Sequence, residues 1–70
     1  MIHFREELGA SLRYVAEYPF GSRLMNGRYR GKTLSHFPYT IVYLVLSDRV
    51  RILAIADERR HPEYYADRFR

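Results

Sequence analysis

The chain has 70 residues, 47% hydrophobic and 29% charged, with a formal net charge of +4. That length excludes a second domain or a large enzyme scaffold, and the composition disfavours disorder. There is no cysteine, so neither a disulfide nor a thiolate zinc site can support a core that, at this size, buries only about 60% of the unfolded chain's surface.

The whole chain, residues 1–70, is expected to form one domain. His3, His36 and His61 lie too far apart in sequence for a close ligand pair, so no structural metal or cofactor is expected. Packing against a partner or a second copy is the expected support. The longest apolar run, residues 41–46, is far short of a membrane span. The first residues turn acidic at once and lack a signal-peptide core, which predicts a soluble cytoplasmic protein. The positive charge suits a polyanion or an acidic protein.

The first predicted element is a helix over residues 2–18. Phe4, Leu8, Leu12 and Val15 recur at helical spacing and make one apolar stripe. Tyr18-Pro19 ends it, because the residue before a proline avoids helical backbone.

Residues 28–34 follow as a strand. Arg28, Arg30 and Lys32 alternate with Tyr29, Gly31 and Thr33, so the three cations share a face as a comb. Residues 39–46 are β-branched and aromatic on both faces, which predicts a central strand. Ser47-Asp48 is the turn into a last strand over residues 49–56. Its expected faces are Val50, Ile52, Ala54 and Ala56 against Arg49, Arg51, Leu53 and Ile55. Pro62 opens a short helix over residues 62–68, with Glu63 in its first turn. The expected fold is α+β: an N-terminal helix packed on a three-stranded antiparallel sheet, with a short C-terminal helix.

Charge is unevenly spread. Between Glu17 and Asp48 there is no acidic residue, but there are Arg23, Arg28, Arg30 and Lys32. Arg59 and Arg60 form a second set after the last strand. If both sets reach one side of the sheet, they make a phosphate-binding surface with tyrosines beside it. The alternative is a solvated face that also blunts a sheet edge, and composition alone favours it.

Three segments together resemble the RelE/ParE superfamily, the toxin halves of bacterial type II toxin–antitoxin modules. They are Phe37-Pro38-Tyr39-Thr40-Ile41-Val42-Tyr43, then Arg51-Ile52-Leu53-Ala54-Ile55-Ala56, then Arg59-Arg60-His61-Pro62-Glu63-Tyr64-Tyr65. The resemblance implies a helical hairpin on an antiparallel sheet and neutralisation by a cognate antitoxin. It also implies one of two targets: DNA gyrase, poisoned without chemistry by the toxin, or ribosome-bound mRNA, cleaved without metal. Members usually begin with a strand and a first helix. By that comparison this chain is expected to lack both, and a shortened form stabilised by an oligomer or an antitoxin complex is expected.

Metal-free RNA cleavage needs a base for the 2′-hydroxyl, cations for the phosphorane and an acid for the leaving oxygen. By resemblance, Arg59 takes the place of the phosphate-stabilising arginine and Tyr65 that of the neighbouring catalytic tyrosine. Arg28, Arg30, Lys32 and Arg60 are the candidate target- or phosphate-binding residues. The bland alternatives are ion pairing of Arg59 and Arg60 with Glu58 or Glu63, and packing roles for Tyr64 and Tyr65. His36 and His61 read as loop and turn residues. Thr40 stands where many members carry an arginine that, in the mRNA-cleaving branch, faces the scissile phosphate. That substitution favours a ParE-like toxin acting on gyrase. The alternatives are a RelE-like mRNA endonuclease, an inactive remnant that only binds antitoxin, or a nucleic-acid-binding mini-domain.

Overall fold

The structure, a computed structural model, describes residues 3–59. One helix, α1 (Phe4–Glu17), precedes four strands: β1 (Arg23–Asn26), β2 (Tyr29–Thr33), β3 (Tyr39–Val45) and β4 (Val50–Asp57). The strands form one antiparallel sheet in the order β1-β2-β3-β4. The α+β class is as expected. The sheet has one strand more than expected, and the expected helix at residues 62–68 lies outside the described residues. Among the described residues, no helix is long and apolar enough to cross a membrane.

The extra strand is β1. It is short, and Arg23, Leu24 and Asn26 are exposed, so it carries no strong strand pattern. The signal for it is Asn26-Gly27, a turn pair that folds a chain back on itself. Gly27 takes a positive φ of 64°, and the register pairs Asn26 with Tyr29 and Leu24 with Arg30. Met25 falls at an irregularity in that register and lies over Gly31, where a Cβ would stand 2.5 Å from the Met25 sulfur. The glycine in β2 therefore makes room for a side chain from β1.

The apolar stripe of α1 packs on the sheet. Val15 is buried with Leu34, Ile41 and Tyr43, and Phe4, Leu8 and Leu12 pack against them together with Phe37, Tyr39, Val45 and Val50. Val15 is buried, whereas Phe4, Leu8 and Leu12 are half-buried, so the sheet covers the stripe in part. Alternation in β3 sends Tyr39, Ile41, Tyr43 and Val45 towards the helix, and Thr40 and Val42 to the other face. Both faces of β3 are buried, as its central place requires. Each fully buried side chain of this kind contributes about 1.5–3 kcal/mol. The Tyr43 ring is fully buried, and its hydroxyl donates to the Pro19 carbonyl at 2.7 Å. That bond ties the turn after α1 to the middle of the sheet. At the other end, the Phe4 ring meets Phe37 and Tyr39 edge-on, each at 5.3 Å.

β4 departs from simple alternation. Val42 pairs with Ala54 and Tyr43 with Ile52, which leaves Leu53 as a bulge. One extra residue shifts the faces of everything beyond it. Val50 and Ile52 lie on the helix side opposite Val45 and Tyr43, whereas Ala54 and Ala56 lie on the far side opposite Val42 and Thr40. The expected grouping of these four residues on one face is thereby corrected.

Candidate functional site

The cations of β2 lie on the helix side of the sheet. Arg30 is paired with Tyr43 and Lys32 with Ile41, both residues of the helix-facing row. Position i and i+2 side chains share a face, so these two stay together. Each meets an aromatic ring from the end of α1 or the turn after it. Lys32 Nζ is 4.6 Å from the centre of the Tyr14 ring, and the Arg30 guanidinium is 5.1 Å from that of Phe20. Arg30 also donates to the Ser22 carbonyl at 2.8 Å. Tyr18 stands next to Tyr14, ring centres 5.3 Å apart. Phe20 borders a shallow groove of about 590 Å³ with Pro19, Val45, Leu46 and Val50. Arg28 sits outside the strand, in the exposed turn after Gly27. The comb therefore has two members on the sheet, half-buried beneath a rim of exposed rings.

Arg59 lies beyond β4. Its Nε and terminal nitrogen donate to the two oxygens of Asp57 at 2.9 and 2.8 Å. This hydrogen bonding, then the charge of Asp57 and a smaller contribution from Tyr39, holds the guanidinium above its ordinary pKa. β3 separates β4 from β2, and Arg59 lies past the end of β4, beyond the positions level with Lys32 and Arg30, so it stands apart from the Arg30–Lys32 row. Arg60 and Tyr65 lie outside the described residues.

The far face carries a polar cluster at the Thr40 position. Thr40 is buried, and its hydroxyl donates to the Glu58 carboxylate at 2.6 Å. Thr33, its register partner, donates to the same oxygen at 3.2 Å. The Glu58 amide donates to the Pro38 carbonyl and fixes the carboxylate over the strand pair.

A third arrangement was missed at the level of sequence. Glu7 in the first turn of α1 accepts from the His36 amide at 2.8 Å and from His36 Nδ1 at 2.7 Å. Burial pushes the Glu7 carboxyl up. The His36 amide and ring, with the Ser35 amide, more than reverse that and leave it below its ordinary value. The pair borders a shallow cleft of about 290 Å³ that Ser11, Tyr14 and Lys32 also line. Glu7 and His36 are 29 residues apart, so no local pattern links them. Among the described residues, no three metal-ligating side chains stand together.

Comparison with models of known protein families, with curated proteins and with solved structures found no match to this chain.

Proposed function

We propose that this chain is a RelE/ParE-like toxin of a type II toxin–antitoxin module, of the ParE-like kind that acts on DNA gyrase rather than by cutting mRNA. The three segments of residue resemblance carry the family assignment. A single helix laid on an antiparallel sheet supports this reading in part, since the fold that they imply has a helical hairpin there. The choice of target rests on Thr40. In the mRNA-cleaving branch an arginine at this position faces the scissile phosphate. Here a buried threonine bonds a carboxylate, with Thr33 on the same oxygen. A carboxylate in that place repels a phosphate and offers nothing to a phosphorane.

The partner is a cognate antitoxin. Leu46, Ile52 and Ile55 are each at least 40% exposed, Ile52 and Ile55 on the edge strand β4 and Leu46 just before it. Exposed apolar side chains grouped in this way mark a protein interface.

Purified gyrase provides the test. The chain should inhibit supercoiling and cause cleaved DNA to accumulate, and co-purified antitoxin should reverse both effects. Unchanged gyrase activity, with ribosome-bound mRNA cut by the same preparation, would transfer the assignment to the RelE-like side. If neither target responds, the chain is an inactive, antitoxin-binding remnant.

A further inference from the structure

The rim over β2 sets exposed aromatic rings beside two cations. Tyr14, Tyr18 and Phe20 are exposed at 37%, 57% and 69%. Arg30 and Lys32 stand beneath this rim, and neither takes part in any ion pair among the described residues. Glu7, which shares a cleft with Lys32, is engaged by the His36 amide and ring. Cations outside ion pairs beneath exposed rings are an unusual use of surface, because each aromatic carries an apolar area that folding would otherwise bury.

We propose that this rim binds single-stranded nucleic acid, with Arg30 and Lys32 on successive phosphates and the rings of Tyr14, Tyr18 and Phe20 stacked against unpaired bases. Spacing supports a strand rather than a single anion. Arg30 and Lys32 are two residues apart on one face of β2, about 6.7 Å by strand rise, which is comparable to one nucleotide of an extended chain. Cations on the backbone and aromatic rings under the bases are the two components of sequence-tolerant single-strand binding. Paired bases keep their faces inside the duplex, so a double strand meets only the charge. An acidic protein segment likewise uses the cations but has no need of the ring faces. The rim is on the helix side of the sheet, opposite the face of Thr33, Thr40 and Glu58. It is therefore separate from the position at which the family's nuclease branch places its arginine.

Fluorescence anisotropy of a labelled oligo-dT and oligo-U of about 12 nucleotides, within the usual site size for such surfaces, tests this on the full chain. Both should bind at about 50 mM salt and weaken towards about 200 mM. The corresponding duplex should bind less tightly. Tyr18→Ala and Phe20→Ala should each weaken binding roughly fivefold or more, the loss expected for one base–aromatic stack. Lys32→Gln should lower the slope of log affinity against log salt by about 0.7, one phosphate contact to a single strand. Arg49→Ala, on the β3–β4 turn, should bind like the wild type. Circular dichroism establishes that each variant is folded. The proposal fails if nothing binds at low salt, or if the two ring variants bind like the wild type. It also fails if poly-glutamate binds as tightly as the oligonucleotides, an outcome that assigns the rim to an acidic protein.

Discussion

The Thr40 hydroxyl donates to the Glu58 carboxylate across 2.6 Å, from a side chain that is 1% exposed to one at the surface. This joins the middle of the sheet to the point where the chain leaves β4. Thr40→Val keeps the shape and removes the donor. It should destabilise the fold by about 0.5–1.5 kcal/mol in urea unfolding, the net value of one hydrogen bond. Thr33→Val should have a smaller effect, because its bond is longer and exposed. Equal effects from both would mean that the carboxylate is held by neither in particular.

Gly31 and Met25 make a second, sharper test. A Cβ at residue 31 meets the Met25 sulfur at 2.5 Å and the Thr40 methyl at 3.0 Å. Gly31→Ala should therefore cost about 1–3 kcal/mol, as overpacking of a filled site does. The same change in a Met25→Ala background should cost clearly less, leaving only the Thr40 contact. A double-mutant cycle showing no coupling between the two positions would contradict this packing.

The Glu7–His36 contact predicts a pH dependence. The native carboxyl of Glu7 titrates below its ordinary value, so the unfolded chain takes up that proton first as pH falls. The contact therefore stabilises the fold above the unfolded pKa of about 4.3, and its contribution is lost as pH falls from there through the lowered native value. Thermal midpoints of wild type and Glu7→Gln measured from neutral pH downwards should differ most at neutral pH and converge in acid. A constant offset down to the lowest pH would refute the linkage.

Much of this architecture was legible from sequence, and the exceptions have definite causes. The helix was marked by the Phe4, Leu8, Leu12, Val15 spacing and by Tyr18-Pro19, and β3 by its two apolar faces. β1 escaped because its residues alternate nothing, and only Asn26-Gly27 announced it. The faces of β4 were misassigned because a bulge at Leu53 depends on pairing with β3, which no local pattern encodes. At the candidate sites, the grouping of Arg30 with Lys32 followed from alternation alone. Their seating under Tyr14 and Phe20, the Glu7–His36 contact and the Thr33–Thr40–Glu58 cluster are products of tertiary packing between segments distant in sequence.

Arg59 separates site from scaffold. Its side chain is 68% exposed, and its partner among the described residues is mainly the neighbouring Asp57. Arg59→Ala should leave the thermal midpoint close to wild type, since surface substitutions shift stability by about 0.5 kcal/mol or less in general. Toxicity on expression should nevertheless be lost, because arginine's planar fork is what recognises a carboxylate or phosphate at the target. Arg49→Ala, an equally exposed cation on the β3–β4 turn, should stay toxic. Equal loss in both would reduce the role of Arg59 to bulk positive charge.

The most direct measurement is expression of the chain without antitoxin in a bacterial host, with a DNA-damage reporter and primer extension on abundant mRNAs read in one culture. A ParE-like toxin should arrest growth, induce the reporter and leave the mRNAs intact. Cuts inside translated codons, with translation stopping before any reporter signal, would contradict the assignment.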